Sequence, residues 1–184
     1  MSYTRGLPSL RLAVSPVFIL FLCGGCARSP QAWPPPEQKP LEVESWAADR
    51  PFVEMAAADA GEFIVRDVST VLGGESWRWG LARPELRFVL QAAEGLKLRV
   101  DFGLVETTLA QTGPVNVSFF VNGRLLGRMR CAAPGDRRFE APVPADWLRM
   151  DSYTHVVIEP DKVYVSPQDG AKLSLTLYRA GFVQ

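Results

Sequence analysis

Apolar and polar residues alternate through most of the chain after residue 60, with the period of two that is typical of β-strands. In residues 96–104 the apolar side chains alternate with charged ones, which predicts a strand with one buried face and one solvated face. Such strands are typical of antiparallel sheets. The predicted buried positions of this strand are Leu96, Leu98, Val100 and Phe102.

A hairpin signal lies within this β-rich region, in residues 115–130 (VNVSFFVNGRLLGRMR). The pair Asn122-Gly123 favours a type I′ turn, because both central residues of that turn take a positive φ. The pattern therefore predicts two antiparallel strands, one on each side of the turn. A lone hairpin is marginally stable in water, so this one is expected to belong to a larger sheet. The predicted core positions of its first strand are Val115, Val117, Phe119 and Val121.

Shorter alternating runs between Gly and Pro turn signals predict the remaining strands. About eight or nine short strands at this spacing predict an all-β fold over residues 61–184. The predicted architecture is an antiparallel β-sandwich or jelly roll, with a small barrel as the alternative. Residues 107–114 are expected to form a loop, and residues 145–150 one helical turn that carries Trp147 into the core. The other predicted strands are residues 62–68, 77–79, 85–91, 138–143, 153–159, 163–165 and 173–178.

Residues 41–60 show no clear period and are the ambiguous part of the chain. Pro51 either starts or interrupts a helix here, because proline is tolerated in the first turn of a helix and not in its interior. The pattern favours the first interpretation, which predicts a short helix over residues 52–58.

The first 25 residues have the pattern of a secretory signal peptide. Arg5 and Arg11 make the start positive, and the apolar run at residues 12–22 is shorter than the roughly 20 residues that a transmembrane helix needs. The sequence LCGGC at residues 22–26 resembles a bacterial lipoprotein signal, with a small residue directly before the modified cysteine. The resemblance implies that Cys26 is the lipid anchor and first mature residue. The alternative is an ordinary cleaved signal.

Residues 26–40 are predicted to form a Pro-rich tether, because three consecutive prolines at residues 34–36 favour extended polyproline II. Several acyl chains on Cys26 would make a stable membrane anchor. The lipoprotein resemblance therefore implies a location in the cell envelope, at the outer membrane in a Gram-negative bacterium. Ala27 after the cysteine is compatible with that sorting.

Charge and cysteine content exclude several classes of protein. The formal net charge is zero, so there is no basic excess to neutralise phosphates, and nucleic acid is not a predicted partner. The three cysteines are Cys23, Cys26 and Cys131, and only the last lies in the body of the chain, so no disulfide framework is predicted. Cys131 directly follows a predicted strand and is interpreted as a small buried residue.

Candidate catalytic residues are sparse, and the sequence predicts no enzyme, cofactor or metal site. The single histidine, His155, lies in a predicted strand without the spaced partners of a triad or a zinc site. No Gly-rich phosphate loop is present. Two carboxylates could still serve a glycosidase, although Asp101 and Glu140 fit solvated strand faces. The carboxylate candidates are Glu75, Asp101, Glu106, Glu140, Glu159 and Asp161.

The cluster Trp77-Arg78-Trp79, with Glu75 before it, is the candidate ligand-binding site. Indole rings stack on the faces of sugars, while arginine and glutamate bond hydroxyl groups. The competing interpretation is structural: alternate positions on a strand would direct Trp77 and Trp79 into the core and leave Arg78 outside.

Three short segments resemble the galactose-binding-like jelly rolls found as accessory domains of bacterial cell-surface glycan proteins: residues 74–79 (GESWRW), 120–123 (FVNG) and 158–161 (IEPD). The resemblance implies the fold and suggests a partner. The leading hypothesis is a non-catalytic module that binds glycan or envelope polysaccharide. The alternatives are a structural or assembly lipoprotein that docks an envelope protein and, third, a carboxylate-dependent glycan hydrolase.

Overall fold

A computed structural model describes residues 50–184, so the predicted signal peptide, Cys26 and the tether lie outside the described residues. Nearly all of the described secondary structure is β, which agrees with the alternating pattern. The strands are β1 (Phe52–Glu54), β2 (Ile64–Gly73), β3 (Trp77–Phe88), β4 (Lys97–Leu104), β5 (Val115–Val121), β6 (Arg124–Cys131), β7 (Gly135–Pro142), β8 (Thr154–Pro160), β9 (Tyr164–Val165), β10 (Lys172–Leu173) and β11 (Leu175–Val183). The helices are α1 (Ala60–Phe63), α2 (Glu106–Thr112) and a 3₁₀ turn at Ala145–Trp147.

Four antiparallel strand pairs nest one inside another: β1 with β11, β3 with β8, β4 with β7, and β5 with β6. Within the described residues they belong to one nine-stranded sheet that folds into two layers, ordered β1-β11-β4-β7 and β3-β8-β5-β6. The first half of β3 also pairs with β11, which joins the layers along one side. Nested pairs shared between two layers are the arrangement of a jelly roll. The predicted all-β, antiparallel β-sandwich is therefore confirmed.

The core lies between these two layers. It consists mainly of aliphatic side chains and several phenylalanines that contact one another. Phe119 on β5 stacks on Phe139 of β7, with ring centroids 3.8 Å apart, and Phe102 on β4 lies 5.9 Å from Phe119. Such contacts bury large apolar areas and dominate the stability of a small sandwich. The predicted burial of Leu98, Val100 and Phe102 is confirmed, since none of these side chains is exposed.

The hairpin forms as predicted. Asn122 and Gly123 have φ values of 47° and 80°, which is the geometry that the type I′ turn requires. Val117, Phe119 and Val121 are fully buried. The hairpin lies at one end of the strand order, where β6 is the terminal strand, while β5 also pairs with β8.

Two predicted elements are wrong. The helix expected over residues 52–58 is replaced by β1, because Phe52–Glu54 adds an antiparallel strand to β11. The loop expected at residues 107–114 contains α2, whose Leu109 is buried against the core. Both errors have the same origin, since tertiary packing overrides weak local preferences in short segments.

The predicted strands at residues 77–79 and 85–91 belong largely to the single strand β3. Pro84 lies inside it, at a point where the register between β2 and β3 shifts. A proline is tolerated there because it cannot donate to a regular ladder. The predicted turn carrying Trp147 is present, and Trp147 packs against the core. No helix within residues 50–184 is long and apolar enough to cross a membrane.

Candidate functional site: a polar groove beside an indole pair

The outer face of the β1-β11-β4-β7 layer carries a cluster of charged residues. Side chains alternate along β4, so Val100 and Phe102 enter the core while Asp101 points to the outer face. The register places Asp101 between Arg138 on β7 and Arg179 on β11. Residues opposite each other on neighbouring strands share a face, so the charge cluster is formed by side chains from three adjacent strands.

Asp101 is held by three guanidinium groups. Arg138 Nε donates to Asp101 Oδ1 at 2.7 Å, and Arg179 Nε donates to Oδ2 at 2.5 Å. Arg99 Nη2 donates to Oδ2 at 2.9 Å. Asp101 is only 8% exposed, which corrects the expectation that it lies on a solvated strand face. Its burial is possible because both carboxylate oxygens accept charge-assisted hydrogen bonds.

The charge on Asp101 is stabilised by these bonds. Burial alone would raise the pKa of the carboxyl group, but the hydrogen bonds from the arginines outweigh it and lower the pKa to about 2. Asp101 is therefore ionised at neutral pH. It neutralises only one of the three guanidinium charges that it orients.

The next row of the same face carries hydroxyl and carboxylate groups. Tyr178 Oη donates to Asp136 Oδ1 at 3.0 Å across β4. Gly103 makes room for this bond, because a Cβ there would lie 2.5 Å from Thr176 Oγ1 and 3.0 Å from Tyr178 Oη. Burial, together with the negative charge of Asp136, raises the pKa of the Tyr178 hydroxyl. Tyr178 is therefore a neutral hydrogen-bonding group under ordinary conditions.

These side chains border an open groove of about 560 Å³. The volume lies within the roughly 300–1,000 Å³ of small-ligand sites. Eight of the nine lining residues carry a polar or charged side chain. A groove of this kind suits a ligand that exchanges many hydrogen bonds with protein and water. The lining residues are Glu54, Ala56, Ser76, Asp101, Asp136, Arg137, Arg138, Tyr178 and Arg179.

Strand register places the predicted indole pair on the same face as this groove, although neither indole is one of its lining residues. Trp79 is paired with Thr176, Thr176 with Gly103, and Gly103 with Asp136, so one row crosses four strands on the groove's face. Trp77 contacts Trp79 edge to face, with ring centroids 5.2 Å apart. Both indoles are half-buried and neither belongs to the core cluster. The alternative that placed them in the core is therefore wrong.

Trp77 also has a structural role in the β2–β3 hairpin. A Cβ added to Gly73, its partner across the strands, would lie 2.1 Å from the indole ring. The ring therefore lies directly on the Gly73 backbone, where an aromatic side chain covers an otherwise bare glycine.

Arg78 and Glu75 do not join the groove lining. Arg78 Nε donates to the Met55 carbonyl at 2.9 Å, and its Nη1 donates to the carbonyls of Ser69, at 3.3 Å, and Thr70. Arg78 thus ties β2 and the residue after β1 to β3. Glu75 is exposed in the turn before β3, one residue from Ser76 of the groove. A ligand role for these two residues stays a prediction.

The other candidate catalytic residues have structural partners. Glu85 Oε1 lies 2.9 Å from His155 Nδ1 and Glu85 Oε2 lies 2.7 Å from Arg66. Cys131 is 1% exposed, and burial raises the pKa of its thiol, opposite to what a nucleophile needs. This confirms the interpretation of Cys131 as a buried residue.

Two of the other candidate carboxylates, Glu159 and Asp161, have structural partners. Glu159 bonds Arg83, and Asp161 accepts from the Asn116 backbone and side chain. Within the described part of the chain, no three His, Cys, Asp or Glu side chains converge as metal ligands.

Sequence reasoning missed the arginines and tyrosine of the groove. Arg138, Tyr178 and Arg179 are far from Asp101 along the chain, and only strand register brings them together. A signal was present in β4, where Asp101 is the one acid among apolar and basic positions. Alternation alone predicts that such a residue is solvated, because the pattern within one strand does not reveal the side chains on neighbouring strands.

No family model matches the chain, and no curated protein matches it. Several solved structures are similar to it, among them the following two. One is an exo-β-1,3-galactanase from Phanerochaete chrysosporium with β-1,3-galactotriose, with 9% identity, a TM-score of 0.39, and coverage of 74% of this chain and 29% of that one. The other contains the CBM51-2 and INT domains of Clostridium perfringens ZmpB, with 12% identity, a TM-score of 0.31, and coverage of 69% and 27%. This chain thus spans less than a third of either structure.

Proposed function

We propose that this protein is a lipid-anchored envelope protein whose β-sandwich binds a glycan without catalysing a reaction. The observation that carries the proposal is the polar groove on the outer face of the β1-β11-β4-β7 layer, with the indoles of Trp77 and Trp79 on the same face. Sugars present hydroxyl groups at their edges and C–H groups on their faces. The groove and the indole pair offer a surface for each.

The polar groups of the groove suit sugar hydroxyls. Asp136 and Tyr178 form a carboxylate–hydroxyl pair whose remaining lone pairs can accept from sugar hydroxyls, and Ser76 adds a hydroxyl that can donate or accept. The guanidinium of Arg138 is planar and is held in place by its bond to Asp101. A pre-oriented donor binds a ligand with a smaller loss of side-chain entropy than a mobile one.

A binding role fits the electrostatics of the groove better than catalysis does. A glycosidase needs one carboxyl group with a raised pKa as general acid. Asp101 has its pKa lowered to about 2 and gives both oxygens to arginines. This carboxylate therefore acts as an anchor for side chains around the groove.

Anchoring at the membrane is the second part of the proposal and rests on the lipoprotein-like signal at residues 22–26. Acylated Cys26 would hold the protein at the membrane, and residues 26–40 would separate the sandwich from it. A tethered binding module would keep its ligand, an envelope polysaccharide or another glycan, close to the cell surface.

The proposal is tested by applying the full-length protein in detergent to a broad glycan array. Binding should be lost in Trp79→Ala and retained in Tyr164→Ala, a matched aromatic change in β9, which pairs with β10 in a separate two-stranded sheet. Thermal unfolding of both variants checks that each domain stays folded. The absence of any glycan signal would refute the binding function. If both variants lose folding and binding equally, the loss of binding reflects unfolding, and binding can no longer be assigned to this groove.

A further inference from the structure

We infer that the groove selects anionic sugars, with Arg138 and Arg179 binding a carboxylate or phosphate group of the glycan. This inference rests on the proposed glycan-binding function and specifies its ligand class. It follows from how the guanidinium groups around Asp101 are occupied and from how the neighbouring acids are engaged.

The arginines around Asp101 differ in how many of their N–H groups remain unbonded and exposed to a ligand. Arg99 directs both Nε and Nη2 to Asp101, and its side chain is 22% exposed. Arg138 and Arg179 each bind Asp101 through Nε, and their side chains are 53% and 40% exposed. Because only Nε of each donates to Asp101, the edge formed by the two terminal nitrogens remains for a ligand at the border of the groove.

The groove lining carries as many acids as arginines, three of each, and Arg99 adds one further positive charge beside Asp101. The two acids other than Asp101 are not hydrogen-bonded to Arg138 or Arg179. Glu54 Oε1 lies 3.9 Å from Arg179 Nη1, beyond hydrogen-bond distance, and the Glu54 side chain is 67% exposed. Asp136 accepts the Tyr178 hydroxyl. Within residues 50–184, Asp101 is the one recorded hydrogen-bonding partner of the Arg138 guanidinium.

Two guanidinium charges held close together by one carboxylate favour a second anion. Arginine binds carboxylates and phosphates through two parallel hydrogen bonds, and such charge-assisted bonds are roughly twice as strong as neutral ones. A neutral hydroxyl can accept a hydrogen bond here but cannot compensate the charge. The groove should therefore distinguish a uronate or phosphorylated sugar from its neutral counterpart.

The experiment compares matched ligands on the full-length protein in detergent by isothermal titration calorimetry. The probes are a panel of oligouronates, each with its carboxyl-reduced neutral form, and galacto-oligosaccharides with and without a 6-phosphate. Anionic forms should bind at least about tenfold more tightly than the neutral forms, as expected for one charge-assisted hydrogen bond. The difference should shrink at high salt. The uronate and phosphate arms identify which anion is bound.

Variants assign the selectivity to the groove. Arg138→Gln and Arg179→Gln should each remove most of the preference for the anionic form. Arg128→Gln is the matched control, because Arg128 is exposed on β6 in the other layer. Equal or tighter binding of the neutral forms, or an unchanged preference in both groove variants, overturns the anionic selectivity and leaves glycan binding standing. Absence of binding by every probe overturns both.

Discussion

The Gly103 backbone lies beneath the hydroxyl group of Tyr178, where a Cβ on Gly103 would be 3.0 Å from Tyr178 Oη. This close approach lets the phenol reach from β11 across β4 to Asp136 on β7. The glycine thus shapes the groove by lacking a side chain. Gly103 has no side chain that could bind a ligand, but its lack of a Cβ fixes the position of the Tyr178 hydroxyl.

Gly103→Ala should destabilise the domain and weaken ligand binding together. The new methyl group would overlap Thr176 Oγ1, which lies 2.5 Å from the Cβ position, and overpacking of this kind costs about 1–3 kcal/mol. Urea unfolding measures the change in unfolding free energy. Tyr178→Phe is the control, since it removes the hydroxyl with its bonds to Asp136 and Thr176 and keeps the ring. Wild-type stability in Gly103→Ala would contradict the close approach.

Stability should fall at low pH through Asp101. Because the folded-state pKa of Asp101 is lowered to about 2 from 3.8, its stabilising contribution is present above pH 3.8 and is lost as the pH falls towards 2. The lost part is roughly 2 kcal/mol of unfolding free energy. Denaturant unfolding between pH 5 and pH 2 measures it, and Asp101→Asn should show a flatter curve over this range.

The same variant should also be less stable at neutral pH, by about 3 kcal/mol, because it leaves three arginines without their anion. Asp146→Asn is the matched control: its pair with Arg124 is exposed, so less than about 1 kcal/mol is expected. A pH profile of Asp101→Asn that runs parallel to that of the wild type would show that other acids cause the acid sensitivity.

Gly123→Val should destabilise the sandwich by about 1 kcal/mol or more, because a β-branched residue would have to adopt a φ of 80°. A Cβ at Gly123 meets no atom within 4 Å, so the loss of stability would come from backbone strain and not from steric overlap. Gly61→Ala is the control, since its Cβ is equally unhindered and Gly61 lies in α1. Alanine there should be neutral or stabilising. Equal effects of the two changes would argue against strain.

Membrane anchoring is expected to depend on Cys26. Mass spectrometry of the mature protein should show an N-terminal acylated cysteine, and Cys26→Ser should leave the protein unacylated and released from membranes. Fractionation of cells that express each form measures the release. Cys131→Ser is the matched control, because Cys131 is buried in the sandwich. A mature N-terminus at Ala27, or an unmodified Cys26, would refute the anchor.

Local pattern was sufficient for the fold class and insufficient for the site. The period of two predicted the strands and their buried faces, and Asn122-Gly123 predicted the hairpin, because these features depend on residues that are close in sequence. Short segments with weak local preference were assigned wrongly, as at β1 and α2, since packing against distant strands decides their structure. The indoles of Trp77 and Trp79 were identified from sequence, but not their position outside the core.

Alternation and turn signals predicted an all-β sandwich, the Asn122-Gly123 hairpin and the burial of Cys131, and the signal at residues 22–26 predicted the anchor at Cys26. The contacts of Arg138 and Arg179 with Asp101, and the position of the indoles on the same face, follow from the folded sheet. Their cause is strand register. Strand pairing between residues 37 and 78 positions apart places these charges together, and a shift by one residue would turn each of them to the opposite face.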